Sequence, residues 1–227
     1  AIVKQGLKII NLKRNLGLKT LIDLCKIESK ASTYHLGYIL GPRINAGGRV
    51  GKCSHGANLL LNNNPKESFQ IATELEKYNS ERKKLEKDLL NVALNTINKN
   101  INDPVLVLHG NHWHEGIIGI IASRLKDKFN KPTIIISLNN KIGKASARSI
   151  LGFDIGSTIL AAVQNKLLIK GGGHKMAGGF SVKKNKINEL KNFLKNKYNP
   201  QTFEYIKYYD YDLKLSSIDM NLFNEIQ

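Results

Sequence analysis

Nine consecutive residues, Gly171-Gly172-Gly173-His174-Lys175-Met176-Ala177-Gly178-Gly179, contain five glycines and a histidine. Backbone N–H groups unobstructed by Cβ can converge on an anion, and a helix starting at His174 would add its positive end, so phosphate is the expected guest. A flexible turn with a surface histidine is the plain alternative. The spacing matches neither a Walker loop nor a dinucleotide fingerprint following a strand. A second segment, Gly143-Lys144-Ala145-Ser146-Ala147-Arg148-Ser149, surrounds one arginine with small and hydroxyl residues. On a strand, alternation sends Ser146 and Arg148 to the same face, where they form either a phosphate grip or a polar edge.

A third segment, Gly41-Pro42-Arg43-Ile44-Asn45-Ala46-Gly47-Gly48-Arg49, places three glycines and a proline in nine positions. That density predicts an ordered loop rather than regular structure, with two guanidinium forks available to clamp phosphates. Four of the six arginines, Arg43, Arg49, Arg124 and Arg148, fall in or beside these segments, although lysine outnumbers arginine 29 to 6. A fourth segment, His109-Gly110-Asn111-His112-Trp113-His114-Glu115-Gly116, has the residue types of a metal site. It lacks the three or four converging ligands such a site needs, and reads better as a strand-to-helix loop. No Gly-x-Ser-x-Gly elbow and no Asp-x-Asp or Asp-His-His cluster occurs, so a phosphate grip stands without the carboxylates that hold divalent ions. Asp210 and Asp212 alternate in a tyrosine-rich tail and read as solvated.

Two short amphipathic helices, broken near Gly17, are expected before Ile27, and Ser32 or Thr33 can cap a third ending at Leu40. A short helix follows from about His55 to Leu61. Pro65 begins a long helix running to about Asn98, with Phe69, Ala72, Leu75, Tyr78, Arg82, Leu85, Leu89, Val92 and Ile97 at helical spacing and Glu74, Glu76, Glu81, Lys83, Lys84, Glu86, Lys87 and Asp88 on the opposite, solvated face. After Pro104 the texture changes. Apolar runs at Val105–Leu108 and Thr133–Ile136 flank a helix from Gly116 to Phe129, the β-α-β rhythm of a mainly parallel sheet. Further elements are expected at Lys141–Ser149 (strand), Ile155–Lys166 (helix), Phe180–Val182 (strand) and Lys186–Tyr198 (helix). The fold class is therefore α/β: a helical connector over 1–103, a compact α/β domain over 104–200, and a linker with a further element over 201–227.

The 227 residues carry 35 Lys+Arg against 18 Asp+Glu, a formal charge of +17. Half of that excess fits the Lys/Asn bias of an AT-rich coding sequence, and half points weakly to nucleic acid. No apolar run approaches the length that crosses a bilayer, so no membrane partner is expected. The cysteines, Cys25 and Cys53, form no Cys-x-x-Cys pair, and with no leader peptide in view the reducing cytoplasm is the expected compartment. The Ala1 start and a final helix without a cap suggest a piece of a longer chain.

Taken in order, the Gly41–Arg49 segment, Trp113–Leu125, Lys131-Pro132-Thr133, Ser146–Ser149 and Gly171–Gly179 resemble the RecJ family of single-stranded-DNA-specific exonucleases in the DHH phosphoesterase superfamily. The resemblance runs from about Gly6 to Gln227. It implies a 5′→3′ exonuclease of DNA repair and recombination whose catalytic Mn²⁺ or Mg²⁺ sits in an N-terminal DHH domain that this sequence lacks. By the same resemblance, 104–200 is a DHH-associated domain and 201–227 the start of an oligonucleotide-binding barrel. Arg43, Asn45 and Arg49 face the interdomain cleft, and Ser146, Arg148, Ser149, Gly172, Gly173 and His174 hold DNA phosphates. Gly47 and Gly179 stand where the family commonly has Ala. Single-stranded DNA and the missing DHH domain, in cis or in trans, are the expected partners; this chain alone is expected to bind no metal and to be inactive. A stand-alone binding module for nucleic acid or short oligonucleotides, and a decayed remnant, are the competing readings.

Overall fold

The computed structural model describes residues 1–97, 102–199 and 209–226. Helices α1 (Ile2–Asn11) and α2 (Leu16–Leu24) are separated not at Gly17 but at Leu12–Asn15, where Lys13 adopts a positive φ and the Asn15 side chain accepts the Leu18 N–H at 2.8 Å. A π-helical segment, His35–Leu40, runs without interruption into α3 (Gly41–Val50). The expected loop at Gly41–Arg49 is thus a helix. Pro42 lies in its first turn, where the missing N–H costs nothing. Tertiary packing overrides the glycine penalty: a Cβ on Gly47 would sit 2.6 Å from the Lys52 carbonyl oxygen.

Helix α4 (Ser54–Leu61) and the 33-residue α5 (Pro65–Ile97) complete the connector. Its core is Leu21, Ile22, Leu40, Leu59, Ala72 and Leu75, all buried. Two parts of the expected faces of α5 are reversed. Phe69 and Val92 are exposed, whereas Glu86, expected in solvent, is 4% exposed.

The second unit alternates β1 (Leu106–Asn111), α6 (Glu115–Phe129), β2 (Thr133–Asn139), β3 (Ile142–Arg148), α7 (Ile155–Gln164), β4 (Lys170–His174), β5 (Ala177–Lys183) and α8 (Ile187–Lys197). The five strands lie in the order β1-β2-β3-β5-β4. Among the described strands only β1 and β2 pair in parallel; the other three pairings are antiparallel, so the sheet is mixed rather than mainly parallel. Connection length is the reason. A crossover helix joins β1 to β2, while two-residue turns, Asn140-Lys141 with Asn140 at φ 55° and Lys175-Met176, fold β2 onto β3 and β4 onto β5.

Alternation along β2 divides two cores. Ile134, Ile136 and Leu138 join Ile155 and Ile159 of α7 and Leu190 of α8 on one face. Ile135 faces the other way, toward Ile117, Ile121 and Leu125 of α6 and Leu89, Ala93 and Ile97 of α5. The last turns of the connector helix therefore belong to the core of the α/β unit. The expected barrel start at 201–227 lies partly outside the described residues; those from 209 to 226 hold a 3₁₀ turn at Leu215–Ser217 and helix α9 (Met220–Ile226). No described helix is long and apolar enough to cross a membrane.

Candidate nucleic-acid interface

The glycine-rich segment is a β-hairpin, not the start of a helix. Gly171, Gly172 and Gly173 pair with Phe180, Gly179 and Gly178, so the segment is held as a sheet ladder rather than as a nest of convergent amides at a helix N-terminus. The alternation gives the glycines two tasks. On the α7 side, a Cβ on Gly171 would lie 2.8 Å from Ile159 Cγ2, and one on Gly178 2.4 Å from Ile159 Cδ1. On the other side, a Cβ on Gly172 would meet nothing within 4 Å. Gly172 leaves open floor.

Residues directly opposed across antiparallel strands point to the same face. The register therefore builds three rungs across β3, β5 and β4: Arg148–Ala177–His174, Ser146–Gly179–Gly172 and Lys144–Ser181–Lys170. Helix α6 packs over β2 and β3 on this side, while α7 packs on β4 and β5 from the other. A ledge remains beside α6, with small residues along its middle and Arg148, His174, Lys144 and Lys170 at its corners. Gly179, Lys144, Lys170 and His174 are exposed there.

Three of the four corners, Arg148, His174 and Lys144, are positioned by hydrogen bonds or ion pairs. Arg148 Nη1 donates to Ser146 Oγ at 3.2 Å and to the Ala147 carbonyl at 2.8 Å. Gly119 lets α6 approach this pair: a Cβ there would stand 3.1 Å from Ser146 Oγ and 3.3 Å from Arg148 Nη2. Burial, and secondarily the nearby Arg49 guanidinium, push the proton affinity of Arg148 below the usual arginine value. The two guanidiniums repel, and a bound anion would relieve the repulsion. Arg49 in turn donates from Nη1 to the Gly116 carbonyl at 3.3 Å, where the backbones of α3 and α6 touch so closely that a Cβ on Gly116 would be 2.1 Å from the Arg49 oxygen.

His174 Nδ1 accepts the Met176 N–H at 3.3 Å, an arrangement that puts the proton of this tautomer on Nε2. The turn behind it is braced by Gly156 at the start of α7, whose missing Cβ would lie 2.9 Å from the His174 carbonyl carbon. Ser149 belongs to that bracing. It is 1% exposed, its N–H donates to the Met176 carbonyl at 2.8 Å, and its hydroxyl donates to the Phe153 carbonyl at 2.6 Å. Arg43 is likewise engaged inward, its Nε paired with Glu76 and its Nη1 donating to the Ile39 carbonyl at 2.8 Å. Asn45 and Arg49 remain on an open cleft of about 360 Å³ walled also by Gly37, Pro42, Arg82 and Ile120.

The structure thus brings together Ser146, Arg148, Gly172, His174 and Arg49, sets Asn45 one cleft away, places Gly173 at the exposed end of the hairpin against the β5 backbone, and turns Arg43 and Ser149 to internal support. Lys144, Lys170, Gly179 and Ser181 share this face; Lys144 and Gly179 stand inside the candidate segments, Lys170 and Ser181 outside them. Their signal was the alternation of both hairpin arms, legible only once Lys170–His174 is recognised as a strand. The histidine-rich loop is structural: His114 Nδ1 accepts the Gly116 N–H at 3.1 Å to cap α6, and Glu115 pairs with Lys144 at 2.7 Å. Among the described residues, no three His, Cys, Asp or Glu side chains come together as a divalent ion would require.

A mixed sheet with this connector and hairpin defines the class: residues 102–199 match the DHHA1 domain. The chain is a homologue of part of RecJ. It is 30% identical over 197 residues to the single-stranded-DNA-specific exonuclease RecJ of Bacillus subtilis, covering 85% of this chain and 25% of that protein. To RecJ of Escherichia coli it is 34% identical over 180 residues, covering 75% of this chain and 31% of the relative. The crystal structure of Thermus thermophilus RecJ in complex with Mn²⁺ superposes with a TM-score of 0.77 at 26% identity, over 86% of this chain and 29% of the other, and its Mg²⁺ complex gives 0.75. The chain spans about a quarter to a third of the length of these proteins.

Proposed function

We propose that this chain is the DNA-gripping part of a 5′→3′ single-stranded-DNA-specific exonuclease acting in DNA repair and recombination in the cytoplasm. Phosphates of the strand lie on the ledge, held by Arg148 and Arg49, by the Ser146 hydroxyl and by His174 Nε2–H, with Lys144 and Lys170 on the next rung. The observation that carries this reading is the in-register Arg148–Ala177–His174 and Ser146–Gly179–Gly172 rungs, which combine fixed donors with a floor open to a backbone. Phosphodiester hydrolysis belongs to a DHH domain, in cis or in trans, that supplies the Mn²⁺ or Mg²⁺; the residues here position the strand and exclude slack in it. Asn45 lines the entry.

Fluorescence anisotropy with a 5′-phosphorylated single strand tests the grip. Arg148→Ala together with His174→Ala is expected to weaken binding at least about tenfold, since charge-assisted hydrogen bonds contribute about 1.5–3 kcal/mol each. Unchanged affinity would refute the assignment, and preference for di- or trinucleotides over longer strands would favour a stand-alone oligonucleotide module.

A further inference from the structure

The cleft that holds Asn45 and Arg49 does not end at Arg82. The Arg82 side chain also walls a second cleft of about 350 Å³, whose lining includes Lys83, Glu86, Lys87, Leu90, Asn91 and Arg124. Along α6, Gly116 touches Arg49, Ile120 lines the first cleft and Arg124 the second. These three are four residues apart and form one stripe, about 12 Å long by the helical rise. The two clefts therefore adjoin at Arg82 along one face of α6, and the second is a groove between α5 and α6.

The groove is cationic, and its base is tied by ion pairs. Glu86, its carboxylate, is consumed: Arg82 Nη1 donates to it at 2.6 Å and Arg124 pairs with its other oxygen. Arg82 also donates to Asn79 Oδ1 at 3.1 Å, while its Nε is buried with no partner among the described residues. Lys83 and Lys87 are exposed on the rim, and the described residues offer neither an ion partner. By the helical period the nearby acids of α5, Glu81 and Asp88, fall on the opposite side, and Asp127 of α6 pairs with Lys126. Four cations thus line a groove whose carboxylate is already neutralised.

We infer that this groove binds further phosphates of the same single strand, with Lys83, Lys87 and the exposed edge of Arg124 as contacts beyond the ledge; the inference rests on the ledge reading above. Glu86 is a positioning residue that fixes both arginines. Length separates the two sites. A trinucleotide occupies the ledge alone, and an oligothymidylate of about twenty nucleotides occupies both.

The experiment is anisotropy titration of the whole chain with the two strands over a range of salt. Lys83→Ala with Lys87→Ala is expected to weaken the long strand about three- to tenfold and to make its log–log salt slope shallower by about 1.4, one ion-release step per lysine. Trinucleotide affinity stays unchanged. Lys191→Ala with Lys197→Ala, on α8 across the sheet, serves as the charge-matched control and leaves both unchanged. Arg148→Ala separates the failures: if it weakens both strands while the lysine pair weakens neither, the groove is wrong and the ledge stands. If it weakens neither, the ledge reading fails as well. Equal weakening of both strands by the lysine pair, or of the long strand by the α8 control, would overturn the groove.

Discussion

Gly172 and Gly173 are neighbours of one kind, yet a Cβ added to each meets different surroundings. At Gly172 it enters open space; at Gly173 it would stand 2.3 Å from the Ala177 carbonyl oxygen. Gly172→Val is therefore expected to leave the unfolding midpoint unchanged or raised, since a β-branched residue suits a strand, while it abolishes strand binding by filling the floor. Gly173→Ala is expected to lower stability measurably. Thermal melts paired with DNA titration distinguish them, and loss of binding only with loss of folding in both variants would contradict the floor. Arg148→Lys is a finer probe: it keeps the charge but loses the fork to Ser146, so affinity should fall while the salt slope holds. At this scale the sequence was informative about residue types and about the shared face of Ser146 and Arg148. It was silent on the inward commitments of Arg43 and Ser149, because Glu76 and Phe153 lie 33 and 4 residues away in the chain and no local pattern marks them as partners.

Among the elements, α5 and α6 are joined by a buried charge cluster as well as by apolar packing. The Glu86 side chain is 5% exposed with Arg82 at 13%, whereas Arg124 is 57% exposed. Removing the carboxylate leaves Arg82 uncompensated, so Glu86→Ala is expected to cost about 3–5 kcal/mol in urea unfolding, and Arg124→Ala no more than about 1 kcal/mol because solvent screens it. Equal costs would contradict the burial argument. Helix α7 gives a pH prediction. The Ser157 N–H donates to Asp154 Oδ1 at 3.0 Å and, with further help from the Ser157 hydroxyl, the Gly156 N–H and Lys175, holds its carboxyl below the ordinary aspartate value. A depressed folded value means that the cap's contribution is complete above the ordinary pKa and fades as pH falls through the lowered one. Wild-type and Asp154→Ala stabilities should converge in acid and differ near neutrality; a constant gap would refute the cap. Helix and strand periods were readable over most of Pro65 to Lys197, whereas α3 and, within that stretch, β4 were not, since glycine-rich sequence carries no periodicity and tertiary contact decided its form. Glu86 illustrates the same limit: a carboxylate in a charged run reads as solvated until Arg124, on another helix, is placed beside it.

Across the molecule, five of the six arginines, Arg43, Arg49, Arg82, Arg124 and Arg148, lie in the connector core or along the ledge and groove, and Arg14 alone stands apart. The lysines are spread more widely, which is why the charge of +17 by itself located nothing. The last turns of α5 share a core with β1 and α6, and Arg49 of the connector lies near enough to Arg148 of the sheet to lower its proton affinity. Placement of the grip therefore depends on packing across the two units, which no single motif encodes. The central claim is that phosphates lie on the exposed side of β3, β5 and β4. Amide chemical-shift mapping of the whole chain with a 5′-phosphorylated single-stranded tetranucleotide tests it most directly. The account predicts shifts at Ser146, Arg148, Gly172, His174 and Gly179 and none on α7 or α8 beyond the turn at Gly156. Shifts concentrated on α8, or none on the hairpin, would contradict it.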